Sequence, residues 1–243
     1  MQAKQRCVMP ELLDEMAPDD PLAQRSRRDL QRIHIAMGTL ATLRRALARL
    51  RFSPRPRRIL ELGAGDGTLL LRLARTLATC WPEVELSLLD RHDFIGGETR
   101  SAYRRLGWHV SVVTTDVLDW AHARSSQHYD LCVTTLFLHH FAEQELAQVL
   151  AAVAARSDAF VACEPRRDTL AWLGSRLVGV IGANRITRSD AVSSVAAGFA
   201  GLELSRAWPD PNNCWALEER HAFPFTHCFV AQVRDPLPDV AGS

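Results

Sequence analysis

Between Leu30 and Leu50 the apolar residues Leu30, Ile33, Met37, Leu40, Leu43, Leu47 and Leu50 fall three or four positions apart. That spacing gathers them on one helical face. Gly38 interrupts the run and predicts a break between two helices. Upstream, Met9 to Pro21 contains Pro10, Pro18 and Pro21 among mixed charges and reads as a short helix and a loop. Ser53-Pro54-Arg55-Pro56 ends the helical region, because proline neither continues a helix nor leaves its predecessor free to do so. Residues 1–53 are therefore expected to form an N-terminal helical extension, and residues 54–243 the main domain.

Beyond Pro56 the period alternates. Short apolar runs at Arg58–Leu62, Glu85–Leu89, His109–Val113, Tyr129–Leu136 and Ala159–Cys163 predict strands. Helical patterns at 68–79, 97–106, 117–123, 143–155, 169–180 and 188–199 separate or follow them. Apolar strands alternating with helices imply a parallel sheet covered on both faces. Two further strands are expected near Leu202–Ser205 and Thr226–Val230, joined only by a long loop at Arg206–Phe225. Without a crossover helix they would pair antiparallel at one end. The expected fold is α/β: a seven-stranded, Rossmann-like sheet, mostly parallel with an antiparallel last strand.

Composition adds little until it is divided along the chain. Over 243 residues the net charge is +1 and 47% of positions are hydrophobic, which fits a globule with a full core and not a disordered chain. Residues 25–58, however, hold eleven arginines against one acid, Asp29. That segment carries +10 and leaves −9 for the rest. The six cysteines form no Cys-x-x-Cys pair, and Cys132 and Cys163 lie inside apolar runs. Free thiols in a reducing compartment are expected. No window reaches the ~18–20 apolar residues of a membrane span. Met1–Arg6 leads into no apolar stretch, so neither a membrane span nor a signal peptide is expected and a cytoplasmic location is.

The chemistry concentrates at Ile59-Leu60-Glu61-Leu62-Gly63-Ala64-Gly65-Asp66-Gly67-Thr68, a strand-to-helix junction. Glycines let the backbone approach a ligand and adopt positive φ, and the helix start offers free N–H groups. The third glycine comes one position earlier than in a dinucleotide-binding fingerprint, and Glu61 precedes the first. An acid there suits a ligand with a positive centre or an amino group.

This segment resembles the first motif of class I S-adenosylmethionine-dependent methyltransferases, and three later strings agree in order. The second strand ends at Asp90, where the family's ribose-binding carboxylate sits. Thr115-Asp116-Val117 matches the adenine-contacting acid and its neighbour. Tyr129-Asp130-Leu131-Cys132-Val133-Thr134-Thr135-Leu136-Phe137-Leu138-His139-His140-Phe141 looks like the post-strand motif of the small-molecule branch. The resemblance covers about residues 58–165. It implies S-adenosylmethionine as cofactor, held by Glu61, Gly63, Ala64, Gly65, Gly67, Asp90, Arg91, Asp116, Val117 and Thr135. Asp116 also suits the N-cap of the following helix, and the two roles can coexist.

Methyl transfer from a sulfonium needs in-line positioning and removal of the acceptor's proton. His139 or His140, after the fourth strand, is the expected base, with His139 favoured to face substrate. Glu164 is a rival, or else a partner of Arg166 or Arg167. Metal assistance is not expected, because no Asp…Asp-Asn set of the catechol type follows the fourth strand and the histidines lack companion ligands. Thr187–Val192, Ala197-Gly198-Phe199 and Pro10–Asp14 resemble methyltransferases carried by bacterial type III polyketide gene sets. That implies O-methylation of a phenolic or quinone-like ring with an apolar tail; Trp172, Trp208, Trp215, Phe223 and Phe225 are candidates for lining its pocket, although aromatics in this number more often belong to the core. A C-methyltransferase of the quinone-biosynthesis type is an alternative. A further one, an RNA or protein methyltransferase gripping through residues 25–58, lacks the Asn/Asp-Pro-Pro-Tyr-type motif that amino-group methylation uses. A catalytically silent module is disfavoured by the presence of Glu61, Asp90 and Asp116. The expected partner is a small acceptor, with no nucleic acid, acting on a monomer or homodimer. The extension is expected to close over the site.

Overall fold

Why the chain needs so many helices follows from its strands. In β1 (Arg58–Leu62) every residue after Arg58 is buried, and β4 (Leu131–Thr135) and β5 (Ala159–Pro165) are buried throughout. Strands buried on both faces must be covered on both. A computed structural model describes residues 5–17 and 19–234; Pro18 and residues 1–4 of the expected extension lie outside the described residues. Seven strands run in the order β3-β2-β1-β4-β5-β7-β6, with β2 at Glu85–Asp90, β3 at His109–Thr114, β6 at Trp215–Ala222 and β7 at Thr226–Val233. Strands β1 to β5 pair in parallel, and β7 runs antiparallel to both β5 and β6. Sheet order reverses between β1 and β4, which opens a crevice at their carboxyl ends.

Strand alternation divides the core in two. Ile59, Val161 and Cys163 face a layer with Leu43 and Leu47 of α3 (Thr39–Leu47), Leu70 and Leu73 of α4 (Thr68–Leu77), and Tyr103 of α5 (Gly97–Arg105). Leu60, Leu62, Phe160 and Ala162 face the other layer, with Val117 of α6 (Val117–His122), and Leu146, Leu150 and Val153 of α7 (Glu143–Arg156). The arginine-rich extension therefore splits. Its second half, α3, is built into the core. Its first half, α1 (Leu12–Glu15) and α2 (Pro21–Ala36), lies across the crevice with α8 (Thr169–Arg176) and α9 (Arg185–Ala197). Asp29, the one acid of the arginine run, is buried and fastens α2 down. It accepts Asn184 N–H at 2.9 Å and pairs with Arg32 at 2.6 Å. Asn184 in turn caps α9.

Three expectations need correction. Leu202–Ser205 is not a strand: Glu203–Ala207 forms a short helix, α10. Four alternating residues fit either period, and Glu219 decides the outcome by accepting Leu204 and Ser205 N–H at 3.0 and 2.7 Å. The expected 206–225 loop contains β6, a polar edge strand with charged Glu218, Glu219 and Arg220. Its ladder with β7 holds it in place without an apolar signature. The 169–180 helix ends at Arg176 and continues as a 3₁₀ turn, Val178–Ile181, closed by Gly182 at φ 83°.

Gly198 joins α9 to the sheet where a Cβ would lie 2.3 Å from the Pro165 carbonyl oxygen. That backbone cannot yield, since Pro165 O accepts Phe199 N–H at 2.9 Å. Gly198→Ala is expected to cost about 1–3 kcal/mol, lowering the melting temperature by roughly 2–4 °C per kcal/mol. An unshifted thermal transition would contradict this.

Candidate functional site

The crevice is a cavity of about 790 Å³. At one end stands the glycine loop. Gly63, Gly65 and Gly67 have φ of 67°, 54° and 69°, a region costly for other residues. A Cβ on Gly63 would meet the Phe137 ring at 2.4 Å, whereas nothing lies within 4 Å of one on Gly65. Gly65 thus leaves open space at the cavity wall. Gly67, by contrast, is buried behind the loop and gives its carbonyl to the Tyr103 hydroxyl at 2.8 Å. It shapes the loop and does not line the cavity.

Asp90 ends β2 beside the loop. One oxygen accepts Gly65 N–H at 2.9 Å and the other His92 N–H at 3.2 Å. The carboxylate is thereby fixed, with further acceptor capacity on each oxygen. Glu61 lines the same end. Burial, reinforced by the negative Asp66 and Asp90, pushes its carboxyl well above the usual range, and its Oε2 is buried without a hydrogen-bond partner. An orphaned buried carboxyl oxygen costs free energy unless a donor arrives. A ligand amino group satisfies it and relieves its charge. The acids and the open glycine loop therefore fit a cofactor carrying an amino group, vicinal hydroxyls and a positive centre. Asp116 caps α6 by accepting Leu118 N–H at 2.8 Å. Asp116, buried Val117 and Thr135, and Ala64 and Arg91, all reach the cavity. From above, Gln31 of α2 donates to Asp66 at 2.6 Å.

The other end is organised by Glu164, at the end of β5 and fully buried. Leu136 takes φ 52° after β4, and the turn that follows directs Phe137, Leu138 and His139 N–H at the Glu164 carboxylate, at 3.0 to 3.4 Å. His139 Nδ1 adds a fourth contact at 2.8 Å. Burial opposes ionisation of Glu164, but the His139 hydrogen bond and charge, with the backbone donors, hold its pKa below the ordinary value. Glu164 is thus engaged by the turn after β4 and by His139. Arg166 pairs with Asp168 at 2.6 Å, and Arg167 with Glu203.

His139 is 2% exposed, with Glu164 on one ring nitrogen and Glu11 Oε1 3.4 Å from the other. Burial disfavours its imidazolium, yet the hydrogen bonds and charges of Glu11 and Glu164 outweigh that and raise its pKa to about 9. It lines the cavity from a buried position between the two carboxylates. His140 reaches the cavity with Nδ1 3.2 Å from Asp14 Oδ2. The histidines do have companions: ring atoms of both and a Glu11 oxygen lie within 4.8 Å of one another.

Glu11 and Asp14 come from the N-terminal segment, which is itself pinned. Leu12 and Leu13 N–H donate to Asp190 of α9 at 2.9 and 3.1 Å, and the Ser194 hydroxyl donates to Glu11. The strings Pro10–Asp14 and Thr187–Val192 thus meet in space. Of the expected pocket aromatics only Phe225 lines the cavity. Trp208 and Trp215 are buried in the core against Phe160 and each other. Trp172 lies out under Arg176, and Phe223 is 82% exposed. The apolar wall comes instead from Met16, Leu30, Ile33, Met37, Phe137 and Phe141. Among the described residues no helix is long and apolar enough to cross a membrane.

Comparison with known proteins bears on this geometry. Residues 59–156 match a family model described as a methyltransferase domain. No curated protein sequence matches the chain. Among solved structures, an O-methyltransferase family protein from Burkholderia thailandensis superposes with a TM-score of 0.53 at 16% identity, over 88% of this chain and 60% of that one. The pyocyanin biosynthetic protein PhzM gives 0.53 at 20%, over 89% and 60%. The mitomycin 7-O-methyltransferase MmcR gives 0.56 at 13%, over 91% and 60%. At such identities these neighbours establish the shared fold, and the chain spans about 60% of their length. The matched segment, residues 59–156, contains the glycine loop, Glu61 and Asp90.

Proposed function

We propose that the chain methylates a hydroxyl of a small, largely apolar acceptor, a phenolic or quinone-like ring of the kind aromatic polyketide pathways make. The observation that carries this reading is one cavity with two unlike ends: acids and open backbone at the glycine loop, and apolar walls leading to the Glu11–His139–His140–Asp14 cluster. The cofactor supplies a methyl group already activated on sulfur. Glu61, the Gly63–Gly65 backbone and Asp90 hold it, with Asp116, Val117 and Thr135 beside them. Met16, Leu30 and Ile33 of the cover, with Phe137, Phe141 and Phe225, exclude water from the acceptor's ring. The histidine cluster meets the acceptor's hydroxyl, where its proton must leave.

The arginine run supports a small acceptor over a nucleic acid. Arg32 pairs with Asp29, Arg49 with Glu218 and Arg57 with Glu83, and Arg55 donates to a backbone carbonyl. These four side chains are engaged with the protein's own body.

Asp90→Ala is expected to weaken S-adenosylhomocysteine at least ~10-fold, as the loss of charge-assisted hydrogen bonds implies. Calorimetry reads this directly, and undiminished affinity would count against the cofactor assignment. His140→Ala is expected to lower turnover about 10²-fold or more across a panel of phenols and hydroquinones, with S-adenosylhomocysteine affinity unchanged. Wild-type turnover would remove the cluster from the reaction.

A further inference from the structure

The separation of His139 Nε2 from Glu11 Oε1, 3.4 Å, is long for a charge-assisted hydrogen bond, which settles near ~2.7–2.9 Å. It matches the ~3.4 Å edge of a tetrahedron whose corners stand about 2.1 Å from a central ion, the ligand distance of zinc-type sites. From this and the donor set, we infer that Glu11, His139 and His140 form a divalent transition-metal site at the cavity wall. The inference rests on the reading of the cavity as a methyl-transfer site and specifies how that site handles the acceptor.

Four features support it. The donors are two imidazoles and one carboxylate, with their ligand atoms within 4.8 Å of one another, a set that suits borderline divalent cations over calcium or magnesium. Metal-binding histidines usually engage a carboxylate through the second ring nitrogen, which fixes the tautomer and aims the first. Glu164 does this for His139 at 2.8 Å and is itself immobilised by three backbone N–H groups. Asp14 Oδ2, 3.2 Å from His140 Nδ1, gives the second imidazole a carboxylate neighbour as well. Finally, carboxylates flank both rings, Glu11 and Glu164 on His139 and Asp14, paired also with Arg91 at 3.6 Å, on His140.

All three donors line the cavity, so the fourth position faces the acceptor, as in catalytic and not structural metal sites. A cation there lowers the pKa of an approaching hydroxyl. The O–H bond breaks, the proton passes to water and the oxygen keeps its electron pair. That oxygen then bonds to the methyl carbon as the carbon–sulfur bond breaks, with its pair remaining on sulfur.

The test uses the full chain, stripped with chelator and titrated with Co²⁺. The expected result is one equivalent bound, with the visible ligand-field bands of a low-coordinate Co²⁺ site, displaced by Zn²⁺. Glu11→Gln and His140→Ala, both at the cavity wall, are expected to weaken Co²⁺ at least 10-fold and to alter its spectrum. S-adenosylhomocysteine calorimetry on the same samples reports folding and the cofactor site separately. Wild type that binds S-adenosylhomocysteine but no Co²⁺ overturns the metal site and leaves the proposed function standing. Unchanged Co²⁺ affinity and spectrum in both variants overturns the assignment of ligands. Wild type that binds Co²⁺ but no S-adenosylhomocysteine overturns the proposed function, and the metal site with the acceptor role given to it here.

Discussion

Everything at the histidine end of the cavity depends on one buried carboxylate. Glu164 gathers three successive backbone N–H groups and an imidazole at the end of β5. A buried anion is tolerated only when its hydrogen bonds are filled, so the turn after β4 has little freedom to adopt another shape. Leu136 is held in the left-handed region, the ring of Phe137 is brought over Gly63, and the two histidines are delivered to the cavity side by side, their rings 4.3 Å apart. The glycine loop and the histidine turn are in this way parts of one construction, joined through β1, β4 and β5.

The ends of the cavity differ in how their charge is satisfied. At the glycine loop, the Glu61 oxygen has no partner, and its pKa moves up. At the other end, Glu164 is fully partnered, and its pKa moves down. One end is organised to receive a ligand's donors, the other to hold its own. Such opposed environments for two buried carboxyls are the pattern expected of a working site.

The sequence disclosed what is local. Strand β1, the glycine turn and Asp90 at the end of β2 were readable because each lies within a short window with its own period or punctuation. Strand β6 escaped because an edge strand paired on one side needs no apolar alternation, and its Glu218, Glu219 and Arg220 read as loop. Helix α10 escaped because its start is capped by Glu219, which lies beyond it in sequence. The companions of His139 escaped for the same reason at longer range. Glu11 lies far upstream and Glu164 a full strand downstream, and no periodicity joins them. Asp29 was conspicuous in the sequence as the lone acid of a basic run, but its partner Asn184 was not.

The cover over the cavity is joined to the body in an unusual way for a hydrophobic protein. Helix α1 buries none of its residues. The segment is held by Cys7 N–H on Ala196, Arg6 on the carbonyls of Ala197, Leu138 and His139, Asp190 on Leu12 and Leu13, and Glu11 and Asp14 on the histidines, while Met9 and Leu12 face solvent. Attachments of this kind are weakened by ionic strength where they reach solvent, as a hydrophobic seal is not.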